Sequence, residues 1–538
     1  MTAGQKRWTM VAVILGSAIV FLDTSVVNLA LPRIAEELPS RLFGGLEAQA
    51  YVSNGYFITL SALLILGGGL NDYYGRRRIF AVGLSGFAVT SLLCGLAPNV
   101  ELLILFRILQ GATGALVVPG SLAIITASFE GEERGRAYGV WAGASAATTI
   151  LGPFLGGVLV NTISWRMAFL INVPLLLVAI AATIRHVPES RDEDATGQFD
   201  WLGAAVVGVA VAGLSFGTIR GQQQQWEEPV AFVALAVGAA AAVAVPFLMG
   251  GRPHALVPLD LFRSRNFSVA NLSTFVIYGA LYVTLLFQGI FLVGTLGYTE
   301  PAAGLAGLPS TLLLAVFSTR FGKLAARHGP RLFMAAGPAV MGLGLLWMAR
   351  FPAGSTPWVL RPGEWGLPPA DYFVDLFPAV VVFGVGLMIM VAPLTTAVMT
   401  SVPAARSGLA SAINNAVSRV GAPLVSALIF VAVSSGFSAS IRDRLPEEQA
   451  RRVEPLNLHT LPSDAPAEVV EAAREASAEA FHLAMLVSAG LLFAGAAVNG
   501  VGIRGGPSER RVEEAIPGET AAAAPLPAGG DRGDGGGG

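Results

Sequence analysis

Charge is scarce in this chain. Only 13% of its 538 residues are Asp, Glu, Lys or Arg, 54% are hydrophobic, and the mean hydropathy is +0.63. Soluble globular chains carry about 25% charged residues. No soluble core could hide this much apolar surface, so the class implied is a polytopic membrane protein. Cysteine is rarer still. The single Cys94 lies inside an apolar run, which excludes an intramolecular disulfide framework and a cysteine zinc cluster. The only lysines are Lys6 and Lys323, and no G-x-x-x-x-G-K-[ST] stretch occurs, which excludes an ATP-driven pump of the P-loop type. The five histidines, His186, His254, His328, His459 and His482, are scattered, so a lipid-modifying enzyme would lack its clustered acids or histidines. The net charge of −2 averages two faces of a membrane, and nothing points to nucleic acid. No cofactor or metal is expected.

Apolar runs are what the chain has in plenty. About 20 such residues cross the hydrocarbon layer as a helix. Fourteen stretches have that length: 8–31, 49–70, 79–97, 101–127, 136–160, 167–185, 200–220, 229–250, 267–294, 302–320, 331–350, 373–400, 408–435 and 478–502. The opening MTAGQKRW looks superficially like a signal peptide, but the run after it is too long and holds Asp23, so a retained first helix is expected. Arginines at 76–78, 134, 136, 185, 191, 252, 263, 265, 327, 331, 504, 510 and 511 fall in alternate loops, which predicts both termini in the cytoplasm. The 436–477 stretch is read as an outer, partly helical insertion, and 503–538 as a disordered cytoplasmic tail. The organisation expected is a six-helix bundle over 1–185, a linker with two extra spans over 186–266, and a second six-helix bundle over 267–502.

The chain also repeats itself. GGLNDYYGRR (68–77) follows the second span and GKLAARHGPR (322–331) the tenth, sharing Gly, Leu, Gly and Arg at the same offsets, with Asp72 replaced by Ala326. Duplicated helix bundles are the mark of secondary transporters, which bind substrate between the repeats.

A few polar residues interrupt the runs. Asp23, in IVFLDTSVVNLALP, is a lone acid in its span, with Thr24 and Asn28 beside it. An intramembrane acid is by default a cavity residue; the alternative is a structural acid capped by hydrogen bonds or paired to Arg107. Arg107 is mid-span, followed by Gln110, Gly111 and Gly114 on nearly the same face. Span five carries Gly139, Gly143 and Ala147, then Gly152, Pro153 and Gly156, a spacing that allows close helix contact with a kink. It fits either a pivot between halves or plain tight packing. Arg419 is a second mid-span arginine, beside Asn414 and Asn415; cavity and structural roles are both open for it.

Together these residues carry a resemblance. GGLNDYYGRR resembles the loop 2–3 signature of the major facilitator superfamily. LFRILQGATGA (105–115) resembles its fourth-helix motif, and LGPFLGG (151–157) its antiporter fifth-helix motif. LDTSVVNLALP (22–32) and WRMAFLINVP (165–174) resemble signatures of the fourteen-helix drug:proton antiporter branch. Tyr73 and Asn71 depart from the usual basic and small residues of the loop. The resemblance implies an all-α membrane protein of two pseudo-symmetric six-helix bundles plus two extra central helices. It assigns proton coupling and the substrate cavity to Asp23, Asn28, Tyr56, Arg107, Gln110 and Arg419. It assigns inner-side gating to Gly68, Asp72, Gly75, Arg76 and Arg77, and a hinge to Gly152, Pro153, Gly156 and Gly157. The implied function is export of lipophilic compounds, cationic drugs and dyes among them, in exchange for protons. The exporter would work as a monomer in the cell membrane, with the proton gradient as energy source. Export of one endogenous metabolite or lipid is the alternative, and a channel or membrane enzyme is disfavoured.

Overall fold

The computed structural model describes residues 1–504 except 43, 194–197, 225, 251, 253, 361–365 and 454–465; the side chains of 45, 46, 149, 150, 153, 154, 157, 161, 451 and 452 also lie outside the described residues. The expected tail therefore falls almost wholly outside them, as does the middle of the 436–477 insertion.

Long helices carry the fold: α1 (Ala3–Glu37), α2 (Gly45–Tyr74), α3 (Arg76–Gly95), α4 (Val100–Ser128), α5 (Gly131–Thr162), α6 (Asn172–His186), α7 (Trp201–Gln223), α8 (Pro229–Met249), α9 (Arg265–Ile290), α10 (Leu308–His328), α11 (Arg331–Met348), α12 (Phe377–Thr400), α13 (Ser407–Arg444) and α14 (Ala467–Gly502). Among the described residues thirteen segments are long and apolar enough to cross a membrane, and α5, with 32 residues, has the length of a fourteenth. In lipid every backbone polar group must be satisfied within its own segment, which leaves the helix as the solution for apolar runs of this length. Local signals fix the ends. Thr2 and Gln5 form a capping box on α1. Asn99 caps α4 through the Leu102 amide, and Asp200 caps α7 through Gly203. Gly75 breaks α2 from α3 at φ 105°, a conformation strained for any side chain.

The packing repeats. In the first bundle α4 packs on α1, α2 and α3, and α6 on α1 and α3, while α1 packs on α5. In the second, α12 packs on α9, α10 and α11, and α14 on α9 and α11, while α9 packs on α13. Adding eight to a helix number of the first bundle gives its counterpart in the second. The bundles meet along two matching seams, α2 with α13 and α5 with α10. The two extra helices stand to one side: α7 packs on α2 and α13, and α8 packs on α7.

One face collects the start of α1 and the end of α14. Lys6 pairs with Glu133 at 2.5 Å, Trp8 stacks on His186, Arg265 Nε donates to the Gly502 carbonyl at 2.9 Å, and the Arg504 amide donates to Asn266 at 2.8 Å. The insertion at 436–477 differs from a detached loop. It mostly prolongs the last two spans: α13 runs unbroken to Arg444 and α14 starts at Ala467, joined by Arg444 to Glu479 (2.6 Å) and Glu475 (3.2 Å). At 1.5 Å per residue the 38 residues of α13 extend about 57 Å, well past a hydrocarbon core about 30 Å thick.

Candidate functional site: a central cavity, a buried charge cluster and a latch

A cavity of about 1110 Å³ lies between the bundles. Its walls come from both bundles and from α7: Phe57 and Trp141 on one side, Tyr278, Tyr282 and Phe430 on the other, with Ser215, Gln222 and Gln223 contributed by α7. Arg419 is its only charged lining residue among those described, and no carboxylate lines it.

Asp23 is therefore not where the sequence reading puts it. It is fully buried, behind the cavity wall, in a cluster drawn from five helices of the first bundle. Arg107 Nη1 donates to Asp23 Oδ2 at 2.5 Å. Gln110 Nε2 and Asn172 Nδ2 both donate to Oδ1, at 3.1 and 2.9 Å. Gln110 also holds Ser91 (2.8 Å) and accepts from Arg107 (2.7 Å). Arg107 is 1% exposed; its Nε donates to the Val52 carbonyl at 3.2 Å, and its guanidinium stacks on Tyr56, 4.0 Å from the ring centroid. A desolvated ion pair survives only when its remaining donors and acceptors are also met, and Gln110, Asn172, Ser91 and Val52 do that. Of the six residues assigned to coupling and cavity, only Arg419 lines the cavity itself. Asn28 touches it indirectly, accepting from the lining residue Ser53 at 3.3 Å. Tyr56 is the link: fully buried, it stacks on Arg107, donates to the Val20 carbonyl at 3.1 Å, and lies within electrostatic reach of Arg419. Asn172 and Ser91 escape a sequence reading because neither is charged; the only signal for Asn172 is its place in WRMAFLINVP.

The gating loop forms a contact between the bundles. Asp72 accepts from Arg76 Nε and Nη2 (3.0 and 2.9 Å) and from the backbone amides of Gly408 (3.2 Å) and Leu409 (2.8 Å). Those amides are the first turn of α13, where four N–H groups lack intrahelical partners and the helix dipole favours an anion. Arg76 in turn donates to the carbonyls of Ala404 and Ala405, each at 2.7 Å. Gly68 lies against Gly408 and Ala412 on the same seam. Arg77 faces outward toward Glu189, whose carboxylate accepts from the α3 amides of Arg77 (3.0 Å) and Arg78 (3.2 Å). On the matching seam a Cβ at Gly135 would come 2.6 Å from the Ala326 Cβ and from the Gly322 carbonyl, and deeper along it Ser318 of α10 donates to the Gly139 carbonyl at 2.8 Å. The Asp72 and Gly135 contacts lie toward the face that carries the start of α1 and the end of α14.

The expected hinge divides into two. Gly139 and Gly143 meet the opposite bundle through α10, whereas Gly152 and Gly156 meet Ser25 and Val26 of α1 inside their own bundle. The second pair is intrabundle packing rather than a contact between halves. The side chains of Pro153 and Gly157 lie outside the described residues.

A pseudo-twofold pair of six-helix bundles around a central cavity, latched on one face, defines a secondary transporter of the alternating-access kind. The profile of the Major Facilitator Superfamily matches residues 13–426, and the chain belongs to that family. It is 32% identical over 438 residues to the multidrug resistance protein Stp of Mycobacterium tuberculosis, covering 81% of this chain and 78% of that protein. It is 30% identical to the tetracenomycin C resistance and export protein of Streptomyces glaucescens, covering 84% and 80%. The crystal structure of the human organic anion transporter MFSD10 superposes with a TM-score of 0.57 at 14% identity, over 91% of this chain and all of the other, which is a likeness of fold. Fold and relatives alike are those of membrane transporters, not enzymes.

Proposed function

We propose that the chain is a proton-driven exporter of lipophilic small molecules in the cell membrane, with both termini cytoplasmic, acting as a monomer. The observation that carries this is the cavity between two bundles that touch on one face only through separable contacts. The Asp72 latch and the α5–α10 seam would close the cytoplasmic side while the cavity faces outward. Breaking them would open the other side, because each is a seam of small residues and a few polar contacts between two bundles. Export is favoured over uptake by relatives named for resistance and export.

Coupling is assigned to Asp23. Protonation would neutralise its carboxylate and loosen its hold on Arg107, and Arg107 bears on Tyr56. A proton bound behind the wall then changes the wall itself, with no need for Asp23 to touch the substrate. Each charge crossing the membrane is worth about 2.3 kcal/mol per 100 mV, so one proton exchanged for one neutral molecule suffices as a drive. Asp23→Asn keeps size and most hydrogen bonds but cannot change charge. In proteoliposomes it should abolish substrate-induced proton release and uphill transport, while downhill exchange continues. Wild-type proton release by Asp23→Asn would transfer coupling to another acid.

A further inference from the structure

Arg419 is half-buried in the cavity wall and has no hydrogen bond or ion pair among the described residues. Its polar neighbours on α13 turn their amide nitrogens to other partners. Asn415 Nδ2 donates to the Ser411 carbonyl at 2.9 Å, and Asn414 Nδ2 to Thr274 Oγ1 (2.9 Å) and Asn271 Oδ1 (3.2 Å). The two buried acids nearest the seams do not compensate it. Asp23 is spent on Arg107, Gln110 and Asn172, and Asp72, at the far end of α2, on Arg76 and the start of α13. A guanidinium in an apolar setting is costly unless it is paired or hydrated. Here five N–H donors border a space of about 1110 Å³ whose remaining lining is aromatic, aliphatic or neutral polar. Field lines from one uncompensated charge are focused in a low-dielectric cleft and select the sign of what enters.

We propose that Arg419 is an anion subsite of the cavity. The chain then exports amphiphilic acids, molecules with an aromatic or aliphatic body and one carboxylate or comparable acidic group, in preference to cations. The planar fork of arginine matches a carboxylate in two parallel hydrogen bonds. Trp141, Tyr278, Tyr282 and Phe430 supply the surface for the body. This rests on the export reading above and reverses its sequence-derived expectation of cationic cargo, since a cation would meet Arg419 with no carboxylate in the wall to offset it.

Three probes of one shape test it: 2-naphthoate, its methyl ester, and 2-naphthyl-trimethylammonium. Binding to the purified full-length protein is measured by equilibrium dialysis, and export by proteoliposomes. The wild type should bind the carboxylate about tenfold more tightly than the ester or the cation, the size of one charge-assisted contact. Arg419→Gln should bring carboxylate and ester level while leaving the ester unchanged, and Arg419→Lys should restore part of the preference. Equal binding of cation and carboxylate by the wild type overturns the proposal. So does no measurable carboxylate binding, or a uniform loss of all three probes in a monodisperse Arg419→Gln protein. Selective binding without gradient-driven export upholds the subsite and refutes the export reading. Export of all three probes alike does the reverse.

Discussion

The two bundles share a packing plan but distribute charge in opposite ways. The first holds its mid-membrane arginine, Arg107, at 1% exposure, bonded to Asp23, Gln110 and Val52 and stacked on Tyr56. The second presents Arg419 to the cavity with no such shell. Duplication does not relate them: Arg107 is on α4, whose counterpart is α12, and Arg419 is on α13, whose counterpart is α5. The latch is equally one-sided, with Asp72 in the first loop and Ala326 at the matching place in the second. A symmetric scaffold thus carries an internal charge store in one half and an open charge in the other. Two arginines that look alike in sequence do different work.

The largest expected effect comes from breaking the store. Asp23→Leu leaves Arg107 buried and unpaired, which should cost about 3–5 kcal/mol. Arg419→Leu removes a charge that nothing compensates and should leave thermal stability unchanged or raised. The double variant Asp23→Leu/Arg107→Leu should recover part of the loss. Thermal unfolding of the three in detergent decides it: if Arg419→Leu destabilises as much as Asp23→Leu, the second arginine has a hidden structural role and the contrast fails.

Much of this was legible in the sequence and some was not, for a physical reason. Apolar length located the spans, and the offsets of GGLNDYYGRR and GKLAARHGPR aligned the two halves. Both arginines and Asp23 stand out because a charge in lipid needs a reason. Direction did not stand out. A soluble helix shows its buried face by contrast with water, but α1 is surrounded by lipid on one side and protein on the other, equally apolar, so its residues say little about which way Asp23 points. The same lack of contrast hid Asn172 and Ser91. It also made the glycines of α5 read as one stripe, though Gly139 faces α10 and Gly156 faces α1. Gln222 and Gln223 fall just past the 200–220 span; that α7 walls the cavity follows from its seat on α2 and α13, which no local pattern encodes.

A smaller effect follows from the latch, and it sharpens the contrast between loops. Asp72→Asn keeps shape but loses the charge facing the first turn of α13 and Arg76. Helix-terminus charges in favourable partly buried sites are worth up to about 2 kcal/mol. The seam should open more often, and thiol labelling of a cysteine introduced at Ala412 should speed up on the terminal face. Placing an acid in the other loop should not build a second latch. A Cβ at Gly135 would come 2.6 Å from that of Ala326. Ala326→Asp therefore adds bulk against the start of α5 and should loosen that seam. A tighter seam, seen as slower labelling, would mean the two loops are interchangeable after all.

The smallest effect tests the element that belongs to neither bundle. Gln223 accepts from Asn54 of α2 at 3.3 Å, while Gln222 donates to Ser426 (3.3 Å) and to the Pro423 carbonyl (3.4 Å) of α13, one to two turns beyond Arg419. Through α7 the closed half and the open half are tied beside the cavity, at a point where Pro423 removes a backbone donor from α13. These are long, neutral hydrogen bonds at the weak end of the range, each worth about 0.5 kcal/mol. If the tie persists through the transport cycle, its loss should weaken both end states alike and leave the rate nearly unchanged. If it exists only in the state described here, Gln222→Ala should favour the alternative state. A contact of that strength limits the resulting change in export of 2-naphthoate to about threefold or fivefold. A loss beyond tenfold would exceed anything those two bonds can supply. It would show that α7 is part of the moving gate, and that the asymmetry between the bundles is set by the inserted helix rather than by their own residues.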